Sequence, residues 1–166
     1  PSCGIRIEEG GLTVQDANLQ ITVSNLDQVF EDPNNSGVKD QAVSGYGLYI
    51  GGGENLIRNS NIVIDMPISS GSDIQSTGIN AISKYGDPNP ASLTISDNSS
   101  ITMNSADGGI GVSGNLKISG SRLAVPGADN FVISCGGNLE ILNGSDITAI
   151  ANRGLAVGAD ANITIS

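Results

Sequence analysis

The 166-residue sequence predicts an all-β fold: a right-handed, single-stranded parallel β-helix of three short strands per coil and about six coils, the last incomplete. Three observations carry this expectation. Short apolar-x-apolar segments, the period-2 signature of strands, recur as triplets separated by turns. Each triplet spans roughly 21 to 24 residues in its tightest copies, too little to bury an apolar face alone, so copies must stack. The composition holds 23 Gly but only 2 Phe, 3 Tyr and no Trp, which suits a core of stacked aliphatic side chains.

The first strands open as Gly4-Ile5-Arg6-Ile7, Gly47-Leu48-Tyr49-Ile50, Gly78-Ile79-Asn80-Ala81, Gly109-Ile110-Gly111-Val112, Asn130-Phe131-Val132-Ile133 and Gly154-Leu155-Ala156-Val157. The second strands read Leu12-Thr13-Val14, Leu93-Thr94-Ile95, Leu116-Lys117-Ile118, Leu139-Glu140-Ile141 and Ile163-Thr164-Ile165. The third read Leu19-Gln20-Ile21, Ile62-Val63-Ile64, Ile101-Thr102-Met103, Leu123-Ala124-Val125 and Ile147-Thr148-Ala149. In the second copy, two registers of the middle strand compete. Matching Ile57 to Ile118 keeps the distance to the third strand constant, points Arg58 outward and places Asn55 inward. That register is preferred, because an unpaired guanidinium is far costlier to bury than an amide that can bond strand ends.

The turns after the second strands, Arg58-Asn59-Ser60-Asn61, Asp97-Asn98-Ser99 and Asn143-Gly144-Ser145, supply residues that tolerate left-handed backbone. Stacked Asn side chains there are expected to form hydrogen-bonded ladders. An antiparallel sandwich of short strands is the alternative fold, and it leaves the recurrence of the triple unit unexplained. In the β-helix, Cys3 and Cys135 stand four rungs apart, roughly 19 Å. A disulfide needs Cα atoms within about 7 Å, so both are expected to be free thiols.

Composition excludes several chemistries. With no His there is no Ser-His or Cys-His pair and no imidazole-ligated zinc. Lys plus Arg is 7 against 17 Asp plus Glu, a formal charge of -10, so nucleic-acid phosphates are not an expected partner. No apolar run reaches the roughly 20 residues of a transmembrane helix. The start has no basic segment leading into an apolar one, and the end stops within a strand-like pattern. The expectation is a single domain over 1–166, cut from a longer protein.

Three insertions break the rhythm, at 24–46, 65–77 and 82–91, and such loops often carry binding. A rim of Tyr46, Tyr49 and Tyr85 with the carboxylates Asp27, Asp32 and Asp40 is the candidate ligand site, for a sugar or peptide. The competing reading has Phe30 and the tyrosines anchoring the long loops. Asp107, Asp129 and Asn152 precede successive first strands and would stack into an oxygen column fit for calcium; solvated turn residues explain the same placements.

Catalysis finds little support on the strands. Glycosidases need two carboxylates facing one bond, and the expected outward columns offer only Glu140, one rung from Lys117. That pair reads as a surface salt bridge. Asn34, Asn98, Asn143 and Asn162 match the N-glycosylation pattern by chance in so Asn- and Ser-rich a chain. A Thr-rich ice-binding face is interrupted by Leu56, Lys117 and Glu140.

The stretch Ala106-Asp107-Gly108-Gly109-Ile110-Gly111-Val112-Ser113-Gly114-Asn115-Leu116-Lys117-Ile118-Ser119-Gly120 resembles the Asp-Gly-Ile and Leu-x-Ile-Ser-Gly rungs of bacterial carbohydrate-binding β-helix proteins. Gly47-Leu48-Tyr49-Ile50-Gly51-Gly52-Gly53 is similar to rungs of large repetitive bacterial surface proteins. The resemblance implies a secreted or cell-surface location, polysaccharide as partner and calcium as a ligand. The expected function is a non-catalytic bacterial surface module, glycan-binding or an adhesive stalk. The alternative is a polysaccharide lyase or hydrolase whose active site lies in the inserted loops.

Overall fold

In the computed structural model, which describes residues 2–24, 44–67, 75–83, 88–104 and 106–166, every regular element is a β-strand. Strands Ser2–Ile7, Ser44–Ile50, Gln75–Ala81, Gly108–Val112, Phe131–Cys135 and Leu155–Ala159 stack in chain order as a first parallel sheet. Thr13–Gln15, Glu54–Arg58, Ser92–Ser96, Leu116–Ser119, Leu139–Leu142 and Ile163–Ile165 form a second. Asn18–Thr22, Asn61–Asp65, Ser100–Asn104, Arg122–Ala128 and Asp146–Ala151 form a third, of five strands. Every strand pairs with its counterpart in the coil before or after, the topology of a three-strand parallel β-helix. Among the described residues no helix is long and apolar enough to cross a membrane.

The core is a set of columns. Leu48, Ile79, Ile110 and Ile133 stack in the first sheet. Ile57, Ile95, Ile118 and Ile141 stack in the second, and Ile62, Ile101 and Leu123 in the third. All are buried, each contributing about 1.5–3 kcal/mol, so the aliphatic columns do the packing that aromatic residues do elsewhere.

Asn55 takes the inward place that Leu93 holds one coil on, as the constant spacing requires, while Arg58 faces out. Its Oδ1 accepts the Leu12 N–H at 2.8 Å, and its Nδ2 donates to the carbonyls of Ser92 at 2.9 Å and Gly53 at 3.1 Å. The amide thus bonds all three coils around it.

The corner after the second strand is left-handed, as its residues predict: Asp16, Asn59, Asp97, Asn98 and Asn143 all have positive φ. The continuous ladder at this corner is made by serine, and asparagine adds single bonds between coils: Asn59 Nδ2 donates to Asp16 Oδ1 and Asn143 Nδ2 to Ser119 Oγ, each at 2.6 Å. Ser60, Ser99, Ser121 and Ser145 each accept, through Oγ, an N–H from the coil before, at 3.1, 3.3, 3.2 and 3.4 Å. Each hydroxyl also donates to a carbonyl of its own turn, at 2.6 to 2.9 Å. Each of these serines follows a left-handed residue, Asn59, Asn98, Gly120 or Gly144, and its hydroxyl is short enough to bond both coils. Asparagine forms its ladder at the other corner, before the second strand, where Asn162 Nδ2 donates to Asn138 Oδ1 at 2.9 Å and Asn138 N–H to Asn115 Oδ1 at 2.8 Å.

Two boundaries and one register differ from expectation. Strands begin at Ser44 and Gln75, inside the segments expected as loops 24–46 and 65–77, while 82–91 does separate Ala81 from Ser92. In the last two coils the first strand is displaced by two residues: Ile110 pairs with Ile133 and Val112 with Cys135, which in turn pair with Val157 and Ala159. Phe131 and Leu155, expected inside, therefore take outer positions. The period-2 pattern is equally satisfied by either register. The link to the second strand decides it, since Val112, Cys135 and Ala159 each stand four residues before Leu116, Leu139 and Ile163. Cys3 and Cys135 are free, both in the first sheet, and burial pushes both thiols above the usual thiol range.

Candidate functional site

The outer face of the first sheet is shaped by glycine. Gly4, Gly47 and Gly78 occupy one column, and a Cβ there would lie 2.2, 2.5 and 2.3 Å from Ile21, Ile64 and Met103 of the third sheet. These positions face inward, and so does the residue after each, such as the fully buried Leu48. Two consecutive inward residues leave Tyr46 and Tyr49 flanking them on the outside. Their ring centroids are 5.2 Å apart, and the Arg6 guanidinium sits 5.3 Å over the Tyr49 ring while its Nε pairs with Glu8.

Two outer columns follow from this register. One runs Cys3, Tyr46, Thr77, Gly108, Phe131, Leu155, and the other Arg6, Tyr49, Asn80, Gly111, Ser134, Gly158. The tyrosines stand at one side and Phe131 at the other, with three rungs, roughly 14 Å, between Tyr46 and Phe131. Between them the floor falls to Gly108 and Gly111. The Phe131 ring leans into that space, 2.6 Å from where a Gly108 Cβ would be. The result is a groove of about 290 Å³ lined by Tyr46, Thr77, Asn80, Gly111, Phe131 and Ser134 among others.

The second sheet has a larger trough of about 410 Å³ on its outer side. Its surface runs Thr13, Leu56, Thr94, Lys117, Glu140, Thr164, the column expected. Lys117 Nζ lies 3.6 Å from Glu140 Oε2, both about half exposed, a pair worth about 0 to 1 kcal/mol. The trough's other carboxylate, Glu54, is three coils from Glu140, more than about 14 Å. Glycosidase pairs span about 5 to 9.5 Å, so these two do not face a common bond. On no described strand do two carboxylates occupy paired positions of neighbouring coils.

Of the residues singled out in the sequence, Tyr46 and Tyr49 come together on the first sheet. Asp27, Asp32, Asp40, Tyr85 and Phe30 lie outside the described residues. Asp107, Asp129 and Asn152 do not share a column. The Asp107 main chain bonds Asn130, that of Asp129 bonds Arg153, and Asn152 bonds Ala128. The Asp107 carboxylate is buried and accepts from Ser76 N–H at 2.8 Å and Ser76 Oγ–H at 3.0 Å. Asp129 Oδ1 faces Arg153 Nε at 3.6 Å. Among the described residues no three acidic or cysteine side chains converge on a point where a metal could bind. Asp107 is level with Asn130, one residue past Asp129, and Asp129 is level with Arg153, one residue past Asn152, so the three side chains step away from a common column.

Phe131 and Asn80 are the site residues that the sequence reading did not select. Phe131 was recoverable from the constant four-residue link to the second strand. Gly108 and Gly111, one coil earlier, open the space into which an outward ring folds. In comparisons with known proteins, no family model, no curated protein and no solved structure matches the chain.

Proposed function

We propose that this chain is a non-catalytic glycan-binding module of a secreted or cell-surface bacterial protein, with the first-sheet groove as its binding surface. One observation carries the reading: all three aromatic residues in the described part of the chain, Tyr46, Tyr49 and Phe131, gather on one outer face, while the core holds none. An aromatic ring that does no core packing and flanks a glycine floor is placed to stack on the apolar face of a sugar ring. The resemblance of residues 106–120 to rungs of carbohydrate-binding β-helices supports the same ligand class and the extracellular setting.

The test is binding of the purified chain to an array of soluble polysaccharides, repeated with Tyr46→Ala and Phe131→Ala. Binding to at least one glycan is expected, weakened about tenfold by either substitution, equivalent to about 1.4 kcal/mol. Undiminished binding by the double variant moves the site off this face, and the absence of binding to any glycan refutes the reading.

A further inference from the structure

Resting on that reading, we propose that the groove takes a neutral saccharide and recognises it through the side-chain amide of Asn80, with Thr77 beside it. The eight polar residues buried in the described chain are Asn55, Ser60, Ser76, Thr77, Asn80, Ser99, Asp107 and Ser121. Six of them make the hydrogen bonds given above. Thr77 and Asn80, at 5% and 6% exposure, are the exceptions: neither side chain has a hydrogen-bond partner among the described residues. No fully sealed side-chain oxygen or nitrogen is left without a partner, so their polar atoms open onto the groove rather than into the core.

Both residues stand on one strand, on its outer face, between Tyr46 and Phe131. The Asn80 amide leans over Gly111, where an added Cβ would lie 3.2 Å from its Oδ1. A carboxamide that opens onto the groove and has no partner among the described residues is free to bond another molecule. Asn80 offers one acceptor and two donors, Thr77 a hydroxyl, a set that matches the adjacent hydroxyls of a sugar.

Charge narrows the class. Among the described residues no charged side chain lines the groove. The nearest guanidinium on these columns, Arg6, is engaged with Glu8 and the Tyr49 face. The chain as a whole carries -10. A uronic acid or sulfated sugar would bring an anion to a surface whose described residues offer it no free cation, which favours a neutral ligand.

Calorimetric titration with neutral polysaccharides (β-glucan, mannan, galactan) and acidic ones (polygalacturonate, alginate) tests this. A neutral polymer is expected to bind with an affinity that does not change between low and high salt. Asn80→Ala and Asn80→Asp are each expected to weaken it about tenfold or more, and Gly111→Ala to weaken it by displacing the amide. The melting temperature of Asn80→Ala should stay at the wild-type value, because the side chain has no hydrogen-bond partner among the described residues; a structural asparagine would lower it. Undiminished affinity in the Asn80 variants, or a fall in melting temperature matching the fall in affinity, overturns the role of Asn80. Binding of acidic polymers alone overturns the neutral assignment and leaves the glycan reading standing. Binding of no saccharide overturns both.

Discussion

Asn55 in the second sheet and Asn80 in the first are both nearly sealed from water, at 3% and 6% exposure, and their amides are in opposite circumstances. Asn55 stands in a column otherwise made of Leu and Ile and bonds the strands on either side of it. Asn80 stands on the outside of its sheet, with glycine on the next coil and no partner for its amide among the described residues. The two sheets differ in the same way. The second uses its polar groups on itself, in the asparagine ladder and the Lys117–Glu140 pair. The first replaces side chains with glycine, lets the third sheet pack up to its backbone, and leaves a recess whose polar groups are uncommitted. In a solenoid the inward columns make the fold, and the outward ones are free to bind where they have not been used for stability.

Substitutions can break this contrast, and the largest effect is expected at the glycine column. Gly47→Val places a Cβ 2.5 Å from Ile64 and 2.6 Å from the Gly78 carbonyl, so about 3 kcal/mol should be lost, read from the urea midpoint. Next comes Asn55→Ala, which strands the Leu12 N–H and the Ser92 carbonyl and should cost about 2 kcal/mol. Asn80→Ala should change stability by less than about 0.5 kcal/mol, as at an uncommitted position. A comparable loss at both asparagines would erase the distinction. Lys117→Ala in the second sheet should cost as little, about 0.5 kcal/mol or less, and this effect shrinks further in high salt.

The fold was legible because its signal is redundant: an error in one coil is corrected by its neighbours. The placement of Asn55 shows this, since the distance to the third strand settled a choice that hydropathy alone would have reversed. Phe131 and Leu155 show the limit. Each begins an apolar-x-apolar run that fits two registers, and a large apolar residue reads as core wherever it falls. The site was legible only in part, because Tyr46 and Tyr49 announce themselves, whereas the asset of Asn80 is a missing partner. A missing partner is a property of three-dimensional surroundings and has no sequence pattern.

The serine ladder has a mechanical consequence. Bonds between coils, in the sheets and at the corner, lie along the axis of the solenoid, so tension applied along that axis loads the coil interfaces in series. The weakest interface then gives way first, and each freed coil of roughly 23 residues releases about 80 Å of chain. Ser60, Ser99, Ser121 and Ser145 add a bond to four successive interfaces where the strands have ended and the backbone is turning. A corner that would otherwise be the place where peeling starts is thereby tied from coil to coil, and the stack resists extension as a column instead of opening along one seam.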